Sequence, residues 1–256
     1  MPLHFRHLAP AMLGRLVSLV AGLLIALCGC STLPAEDARI ATKRNKTVVE
    51  NTIRTDQDRR MDAARHPAEF LPFTQVKPGM QVLDVSAGAG YTSQLLALAV
   101  GPAGTVWAQR EQPGAALTKR LNDHPQANLV VVIRPFEDPV PDQAPKLDLI
   151  TIILNYHDIT YLPVDRAKMN QRLFAALKPG GHFVVIDHSA KTSADISVGK
   201  TLHRIDEGVV LVEVRKAGFV LEAESDFLRN PADTREQSSG DAKIPTDKFA
   251  LRFVKP

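Results

Sequence analysis

Two short polar clusters in the sequence carry side chains that could do chemistry. Residues 155–158 (Asn-Tyr-His-Asp) follow one apolar run, and Asp187 and His188 end another. His157 could act as a general base, because imidazole titrates near neutral pH, and Asp158 could orient its ring. We therefore expect one reaction rim formed by His157, Asp158, Asp187 and His188. A histidine that only caps the end of a strand is an alternative that the sequence leaves open.

The same two histidines and two aspartates could instead bind a divalent metal ion. Imidazole nitrogen and carboxylate oxygen are both common metal ligands in proteins. We assign no metal ligand from the sequence, and this alternative stays open.

A side-chain-poor turn provides a second candidate site. Val82, Leu83 and Val85 predict a buried strand, residues 86–90 (Ser-Ala-Gly-Ala-Gly) predict a tight turn, and apolar spacing over 91–100 predicts a helix. Small residues let the backbone approach a ligand, and the first turn of a helix offers unpaired N–H groups to it. The turn could therefore bind a nucleotide-like group, although a tight turn without any ligand is also open.

The remaining apolar runs predict the elements that position these groups. Strands are expected at 105–108, 128–133, 147–154, 182–187, 218–221 and 249–254, and helices at 48–73 with an interruption at Pro67, at 169–177 and at 201–217. In doubly wound sheets, ligands lie outside the carboxyl ends of the strands. The turn and both polar clusters should therefore share one edge of the sheet.

Together these segments resemble the class I S-adenosylmethionine-dependent methyltransferases. Residues 84–90 resemble the family's motif I, an acid followed by Gly-x-Gly-x-Gly, with Ser86 replacing the first glycine. The segment 177–181 (LKPGG), between a helix and an apolar strand, resembles the second half of the signature. The chain also contains short segments that resemble an uncharacterised bacterial group of predicted methyltransferases. These segments are NYHD, DHSA, TLHRID, AGF and the terminal FALRFVKP.

This resemblance spans about residues 48–256 and implies an α/β fold. The implied architecture is a Rossmann-like, doubly wound, seven-stranded and mostly parallel sheet. One antiparallel strand is expected near the C-terminus, and helices are expected to precede the sheet. The resemblance also implies S-adenosylmethionine as the cofactor and a small-molecule methyl acceptor that the sequence does not identify.

The resemblance assigns a set of cofactor-binding residues. Family members usually carry an acid at the end of the second strand, where a carboxylate holds the ribose hydroxyls. Here Gln109 and Arg110 occupy that place, so either Glu111 reaches the ribose or Gln109 substitutes for the acid. The complete set is Asp84, Ser86, Ala87, Gly88 and Gly90 around the methionine and ribose, Glu111 at the ribose, Phe136 and Glu137 at the adenine, and Asn155.

The N-terminus has the pattern of a secretory signal peptide over residues 1–30. Arg6 and Arg15 precede an uncharged apolar run over 16–27. This run is shorter than the roughly 17–25 residues that span a bilayer. The residues around Cys30 resemble a bacterial lipobox, which implies cleavage before Cys30 and a lipid on its thiol. An ordinary cleaved signal or an uncleaved anchor is the alternative.

The processed chain should consist of a flexible tether over 31–47 and one domain over 48–256. Both cysteines fall at Cys28 and Cys30, so the domain has no disulfide and no thiolate site. Removing Arg6 and Arg15 from the 31 Lys and Arg residues leaves one basic residue more than the 28 acidic ones. A near-neutral chain gives no indication of nucleic-acid binding.

Export conflicts with a cofactor that is made in the cytoplasm, and three interpretations follow. The first is a methyltransferase anchored to the membrane by its lipid and facing the periplasm, with Ser31 after Cys30 favouring the outer membrane. The second is a lipid-anchored, catalytically inactive binding protein that keeps the fold, motivated by Ser86 and the missing ribose acid. The third is a misassigned start codon and a cytoplasmic protein.

Overall fold

The computed structural model describes residues 33–256, and its centre is a seven-stranded sheet. The predicted signal peptide and Cys30 lie outside the described residues. The strands are β1 (Gln81–Val85), β2 (Thr105–Arg110), β3 (Leu129–Ile133), β4 (Leu147–Ile153), β5 (Leu177–His188), β6 (Val220–Ser225) and β7 (Lys248–Val254).

The sheet has the order β3-β2-β1-β4-β5-β7-β6. Strands β1 to β5 run parallel to one another, whereas β7 pairs antiparallel with both β5 and β6. This arrangement confirms the predicted fold class, including the antiparallel strand near the C-terminus.

The helices before β4 are α1 (Leu33–Val49), α2 (Asp56–Arg65), α3 (Pro67–Thr74), α4 (Tyr91–Val100) and α5 (Ala115–Asp123). Those after it are α6 (Tyr156–Ile159), α7 (Arg166–Ala176), α8 (Val198–Leu202) and α9 (Glu207–Lys216). The predicted interruption of the N-terminal helix at Pro67 is confirmed, because α2 ends at Arg65 and α3 begins at Pro67. Within the described part of the chain, no helix is both long enough and apolar enough to cross a membrane.

Helices cover both faces of the sheet, which explains the continuous apolar runs of the strands. Along β1, Val82 packs into one core, with residues of α3, α4 and α5, and Leu83 packs into the other, with residues of α7 and α9. Residues on alternating faces of a strand are thus buried alike, as in parallel sheets with two covered faces. The two cores fix the strand ends that carry the polar clusters.

The predicted tether over 31–47 is wrong from residue 33 onward, because Leu33–Val49 is helical. Asn45 and Val48 are buried, and the Arg44 Nη2 atom donates a hydrogen bond to the Val76 carbonyl at 3.2 Å. The segment is rich in Ala, Glu, Lys and Arg, which are good helix formers, and packing against the domain stabilises it. The helix was not predicted from the sequence because its apolar residues show only weak helical periodicity.

The predicted helix over 201–217 is also corrected, since α8 and α9 are separate. His203 adopts a left-handed backbone (φ 50°) after α8, and Asp206 caps α9 by accepting a hydrogen bond from the Gly208 amide. A left-handed residue cannot continue a right-handed helix. The break turns the chain at His203, beside the polar edge of the sheet.

A buried ion pair fastens α2 to the turn after β1. The Asp58 carboxylate accepts two hydrogen bonds from the Arg120 guanidinium, at 2.7 and 2.8 Å. The Nε atom of Arg120 also donates to the Ala89 carbonyl at 2.8 Å. Helix α2 is therefore held over the side-chain-poor turn through one guanidinium.

Candidate active site

The turn after β1 is fixed by hydrogen bonds to side chains at the carboxyl ends of two neighbouring strands, β2 and β4. The Ser86 amide donates to Gln109 Oε1 at 2.8 Å, and Ser86 Oγ donates to Asn155 Oδ1 at 2.7 Å. Ser86 itself has a left-handed backbone (φ 58°), a conformation that glycine adopts without strain. This explains how serine replaces the first glycine of motif I, since its hydroxyl and amide gain partners there.

Only part of this turn offers free amides. The Ala87 amide donates to the Gln109 carbonyl and the Gly90 amide donates to the Ala87 carbonyl. The amides of Gly88 and Ala89 have no hydrogen-bond partner among residues 33–256. Of the five amides of residues 86–90, only those of Gly88 and Ala89 are therefore available to a ligand within the described part of the chain.

A cavity of about 320 Å³ opens beside the turn, at the carboxyl ends of β1, β2 and β4. Five of the predicted cofactor residues line it together with two residues that the sequence analysis did not assign to the site. The lining residues are Ser86, Gly88, Glu111, Phe136 and Asn155, with Arg110 and Gln112 in addition. The structure thus brings the predicted ribose acid, the predicted adenine wall and the turn to one space.

The other predicted cofactor residues do not line this cavity. Asp84, Ala87 and Gly90 shape the turn from within, and Glu137 accepts a hydrogen bond from the Asp165 amide at 3.4 Å. Gln109 is fully buried and its side chain is engaged by the Ser86 amide and the Arg134 carbonyl. Of the two alternatives for the ribose, only Glu111 has a side chain facing the cavity.

Asp84 is a structural acid beneath the turn. Its carboxylate is buried and accepts hydrogen bonds from Ser93 Oγ and from Thr151 Oγ1, the latter at 2.7 Å. Burial raises the pKa of Asp84 to about 6, although both hydroxyl donors oppose this rise. The acid therefore joins α4 to β1 and β4 rather than facing the cavity.

Replacing Asp84 by Asn should change how stability depends on pH. A folded-state pKa of about 6, above the ordinary value of 3.8, favours the fold below pH 3.8, and this contribution is lost as the pH rises through 6. The Ser93 and Thr151 hydroxyls can rotate to accept from the new amide. Relative to wild type, Asp84→Asn should therefore gain up to about 3 kcal/mol between pH 4 and pH 7. Urea unfolding at both pH values measures this, with exposed Asp56→Asn as the control, and a constant difference would contradict it.

The predicted reaction rim is assembled, but His157 is fully engaged. Its Nδ1 lies 2.6 Å from Asp187 Oδ1, and its Nε2 lies 3.1 Å from Asp158 Oδ1. Burial alone would lower the pKa of His157, but the hydrogen bonds to Asp158 and Asp187 outweigh it and raise the pKa to about 9. No ring nitrogen of His157 is left over for an acceptor in this arrangement.

His188 presents a different environment on the same rim. Its Nδ1 lies 2.8 Å from Thr246 Oγ1, and its ring packs edge-on against His157 with centroids 5.9 Å apart. Burial lowers the pKa of His188 to about 3, with the nearby positive charge of Lys248 as the next cause. His188 is therefore neutral, and its Nε2 has no partner within the described residues.

A narrow cleft with about 10 Å³ of free space lies between α2, α3, the start of α4 and the ends of β4 and β5. Arg65 and Lys248 bring two cationic groups to otherwise apolar walls that include Phe70, Tyr91 and Leu228. Burial, followed by repulsion from Arg65, lowers the pKa of Lys248 to about 8. Lys248 was not among the predicted site residues. Strand direction is the signal that identifies it, because an antiparallel strand begins at the edge where its parallel neighbours end.

Comparison with known proteins shows which family this chain belongs to. The sequence profile of the protein-L-isoaspartate(D-aspartate) O-methyltransferase (PCMT) family matches residues 38–215. A ubiquinone/menaquinone biosynthesis C-methyltransferase UbiE of Burkholderia multivorans is 30% identical over 135 residues, covering 50% of this chain and 53% of that protein. The UbiE protein of Bordetella avium is 31% identical over 116 residues, covering 44% of this chain and 43% of its own. The chain thus spans about half the length of the curated relatives it matches.

Solved structures share the fold. A SAM-dependent methyltransferase from Aquifex aeolicus superposes with a TM-score of 0.56 at 18% identity, covering 84% of this chain and 98% of that one. An S-adenosylmethionine-dependent methyltransferase from Mesorhizobium loti gives a TM-score of 0.56 at 16% identity, covering 76% and 99%. Likeness at such identities shows the architecture, and the profile match over more than half of the chain shows the family. The chain therefore belongs to the protein-L-isoaspartate(D-aspartate) O-methyltransferase family of class I S-adenosylmethionine-dependent methyltransferases.

Proposed function

We propose that this protein transfers the methyl group of S-adenosylmethionine to a small acceptor held at the rim of His157, Asp158, Asp187 and His188. The observation that carries the proposal is the cavity beside the turn after β1, which combines Glu111, Phe136 and Gly88, whose amide has no hydrogen-bond partner among residues 33–256. S-adenosylmethionine supplies a methyl group made electrophilic by its sulfonium. Similarity does not identify the acceptor, because the family description names isoaspartate whereas the relatives are named for quinone biosynthesis.

The residues of the cavity fit this cofactor chemically. A Cβ atom built on Gly88 would meet nothing closer than the Ser86 carbonyl oxygen at 4.0 Å, so the backbone there faces open space. Glu111 can accept hydrogen bonds from two neighbouring hydroxyls at once, as a ribose requires. Phe136 supplies an apolar wall, and the Gly88 amide supplies a donor. These assignments support the cofactor-binding roles predicted for Ser86, Gly88, Glu111, Phe136 and Asn155.

The rim can orient an acceptor without changing its own hydrogen bonds. Asp187 also accepts a hydrogen bond from the His157 amide at 2.8 Å, so the start of α6 is fixed to β5. His188 Nε2 has no partner among residues 33–256 and, when Nδ1 carries the proton and donates to Thr246, can accept a hydrogen bond from a donor on the methyl acceptor. Displacement at a methyl group depends mainly on positioning, which this rigid edge provides. His157 and Asp158 belong to the rim as positioning groups in this proposal.

Calorimetry with S-adenosylmethionine tests the proposal on the purified full chain. Wild type should bind one equivalent, and Glu111→Ala should bind at least 10-fold more weakly because two ribose hydrogen bonds are lost. The matched control is Glu137→Ala, which should leave the affinity unchanged, since Glu137 contacts the Asp165 amide instead. Absence of binding by wild type at about millimolar cofactor would overturn the proposal and favour the inactive binding protein.

We also propose that the protein is exported and anchored by a lipid on Cys30, facing the periplasm and with the outer membrane favoured. The support is the basic and apolar pattern of residues 1–30 and the lipobox resemblance. Cells grown with radiolabelled palmitate should yield a labelled protein. Cys30→Ser should abolish the label and Cys28→Ser should retain it, because Cys28 follows a large residue, Leu27. An unlabelled wild-type protein would favour the cytoplasmic alternative.

A further inference from the structure

We propose that His157, Asp158 and His203 form a binding site for a divalent first-row transition-metal ion. The three side chains come from α6 and from the residue that ends α8, and their ligand atoms all lie within 4.8 Å of one another. The proposal concerns metal binding by the chain and does not depend on methyl transfer.

The ligand atoms converge on one oxygen. His157 Nε2 lies 3.1 Å from Asp158 Oδ1, and His203 Nδ1 lies 3.2 Å from the same oxygen. Two ligands that each lie about 2.0–2.1 Å from a tetrahedral zinc ion are about 3.3 Å apart. The two separations from the Asp158 oxygen therefore already match those of ligands around one ion, and the ligand atoms of the two histidines lie within 4.8 Å of each other. Tyr161 also donates a hydrogen bond to Asp158 Oδ1 at 2.8 Å, which orients the carboxylate.

The opposite nitrogen of His157 has the partner expected behind a metal ligand. Its Nδ1 lies 2.6 Å from the fully buried Asp187 carboxylate, which leaves Nε2 directed toward Asp158 and His203. Histidines that bind metals usually donate their second N–H to a carboxylate, which fixes the tautomer and increases ligand basicity. Asp187 would then be a positioning residue for the metal site.

The backbone is arranged to bring His203 to this point. Gly199 lies in α8 against α6, and a Cβ atom there would come within 2.7 Å of the His157 carbonyl oxygen, so only glycine allows this approach. His203 then adopts its left-handed conformation (φ 50°), unusual for a residue with a side chain. Its side chain remains 46% exposed, while that of His157 is 4% exposed. The proposed site is therefore buried on the side of His157 and open to solvent on the side of His203.

The donor set identifies the class of metal. Two imidazole nitrogens with one carboxylate oxygen suit zinc, iron(II) or cobalt(II), whereas magnesium and calcium prefer oxygen ligands throughout. Three protein ligands leave at least one coordination position unfilled, as in catalytic metal sites. The open side is formed by His203, whose side chain is 46% exposed.

Cobalt(II) is the probe for the first test, because its visible absorption reports coordination. The full chain is stripped with a chelator, its thiols at Cys28 and Cys30 are blocked by alkylation, and CoCl2 is titrated with ZnCl2 as the competitor. Wild type should bind one equivalent of Co²⁺ with intense low-coordinate bands that Zn²⁺ abolishes. His203→Asn and Asp158→Asn should each weaken binding at least 10-fold. Asn is used at residue 203 because it tolerates the left-handed backbone.

The matched control is His66→Asn. His66 also ends a helix in a left-handed conformation (φ 47°), and its side chain is 42% exposed, close to the value for His203. Its substitution should leave Co²⁺ binding unchanged, and circular dichroism and thermal unfolding verify that every variant is folded. The proposal is overturned if wild type binds no Co²⁺ at about millimolar concentration, or if His203→Asn binds as tightly as His66→Asn. Asp158→Asn supplies the same comparison should His203→Asn fail to fold.

Discussion

Replacing Asp58 by Ala should destabilise the domain by about 3–5 kcal/mol, the cost typical of removing one partner from a buried ion pair. The Asp58 side chain is 1% exposed and that of Arg120 is 9% exposed, so solvent cannot replace the lost carboxylate. Asp58 also accepts hydrogen bonds from the Thr55 amide and hydroxyl at the start of α2. The substitution therefore leaves a buried cation without its carboxylate and removes the half of the capping box that Asp58 supplies, while Thr55 still caps the residue-58 amide.

Urea unfolding at pH 7 measures this loss. Asp56→Ala is the matched control, because Asp56 lies in the same first turn of α2 but is exposed, and it should change stability by less than about 0.5 kcal/mol. Asp58→Asn should fall between the two, since an amide keeps the shape and the cap while losing the charge. Equal stabilities for Asp58→Ala and Asp56→Ala would show that the ion pair does not hold α2 over the turn.

Replacing each of two glycines of the turn by Ala should affect different properties, cofactor affinity at Gly88 and mainly stability at Gly90. Gly88→Ala should weaken S-adenosylmethionine binding at least 10-fold with a stability loss of about 1–2 kcal/mol, the cost of a left-handed residue. Gly90→Ala should cost about 2–4 kcal/mol and alter binding little. The reason is space: a Cβ atom on Gly90 would lie 2.6 Å from Leu117 Cδ1, whereas Gly88 lines the cavity and has no neighbour nearer than 4.0 Å.

Calorimetry and urea unfolding on both variants test this pair. Gly79→Ala is the control for the backbone alone, because Gly79 has φ 82° and nothing within 4 Å of a built Cβ atom. It should match Gly88→Ala in stability and wild type in cofactor affinity. If Gly88→Ala binds the cofactor as wild type does, the cavity beside the turn is not the cofactor site.

The sheet and its polar edge were predictable because their signals are local. Buried parallel strands appear as continuous apolar runs, and the residue after each run lies at a known edge. The structure does bring together His157, Asp158, Asp187 and His188, which were predicted to share an edge on this basis. Tyr156 departs from that prediction, because its ring is buried in the core and its hydroxyl donates to Glu213. The family pattern added strand order and the antiparallel final strand, which apolar runs alone do not determine.

The use of each polar atom was not predictable, because it depends on contacts between distant segments. The sequence suggested His157 as a base oriented by Asp158, but Asp187, 30 residues later, occupies its second nitrogen. Gln109 was a candidate for the ribose, yet its amide is consumed by Ser86 and by the Arg134 carbonyl. Helix α1 was missed because its stability comes from packing rather than from a strong apolar face.

The reversed direction of β7 gives this fold a freedom that an all-parallel sheet lacks. Strand β7 begins beside His188, where Thr246 contacts the His188 ring and Lys248 pairs with His188 in the sheet. The segment that precedes β7, from residue 226 onward, therefore reaches the polar edge of the sheet before the strand begins. Buried contacts such as Arg204 with Asp233 secure that segment from outside the strands. Insertions or substitutions between β6 and β7 would consequently remodel the acceptor side of the proposed site while leaving strand order untouched, so sequence differences that change the proposed acceptor should concentrate there.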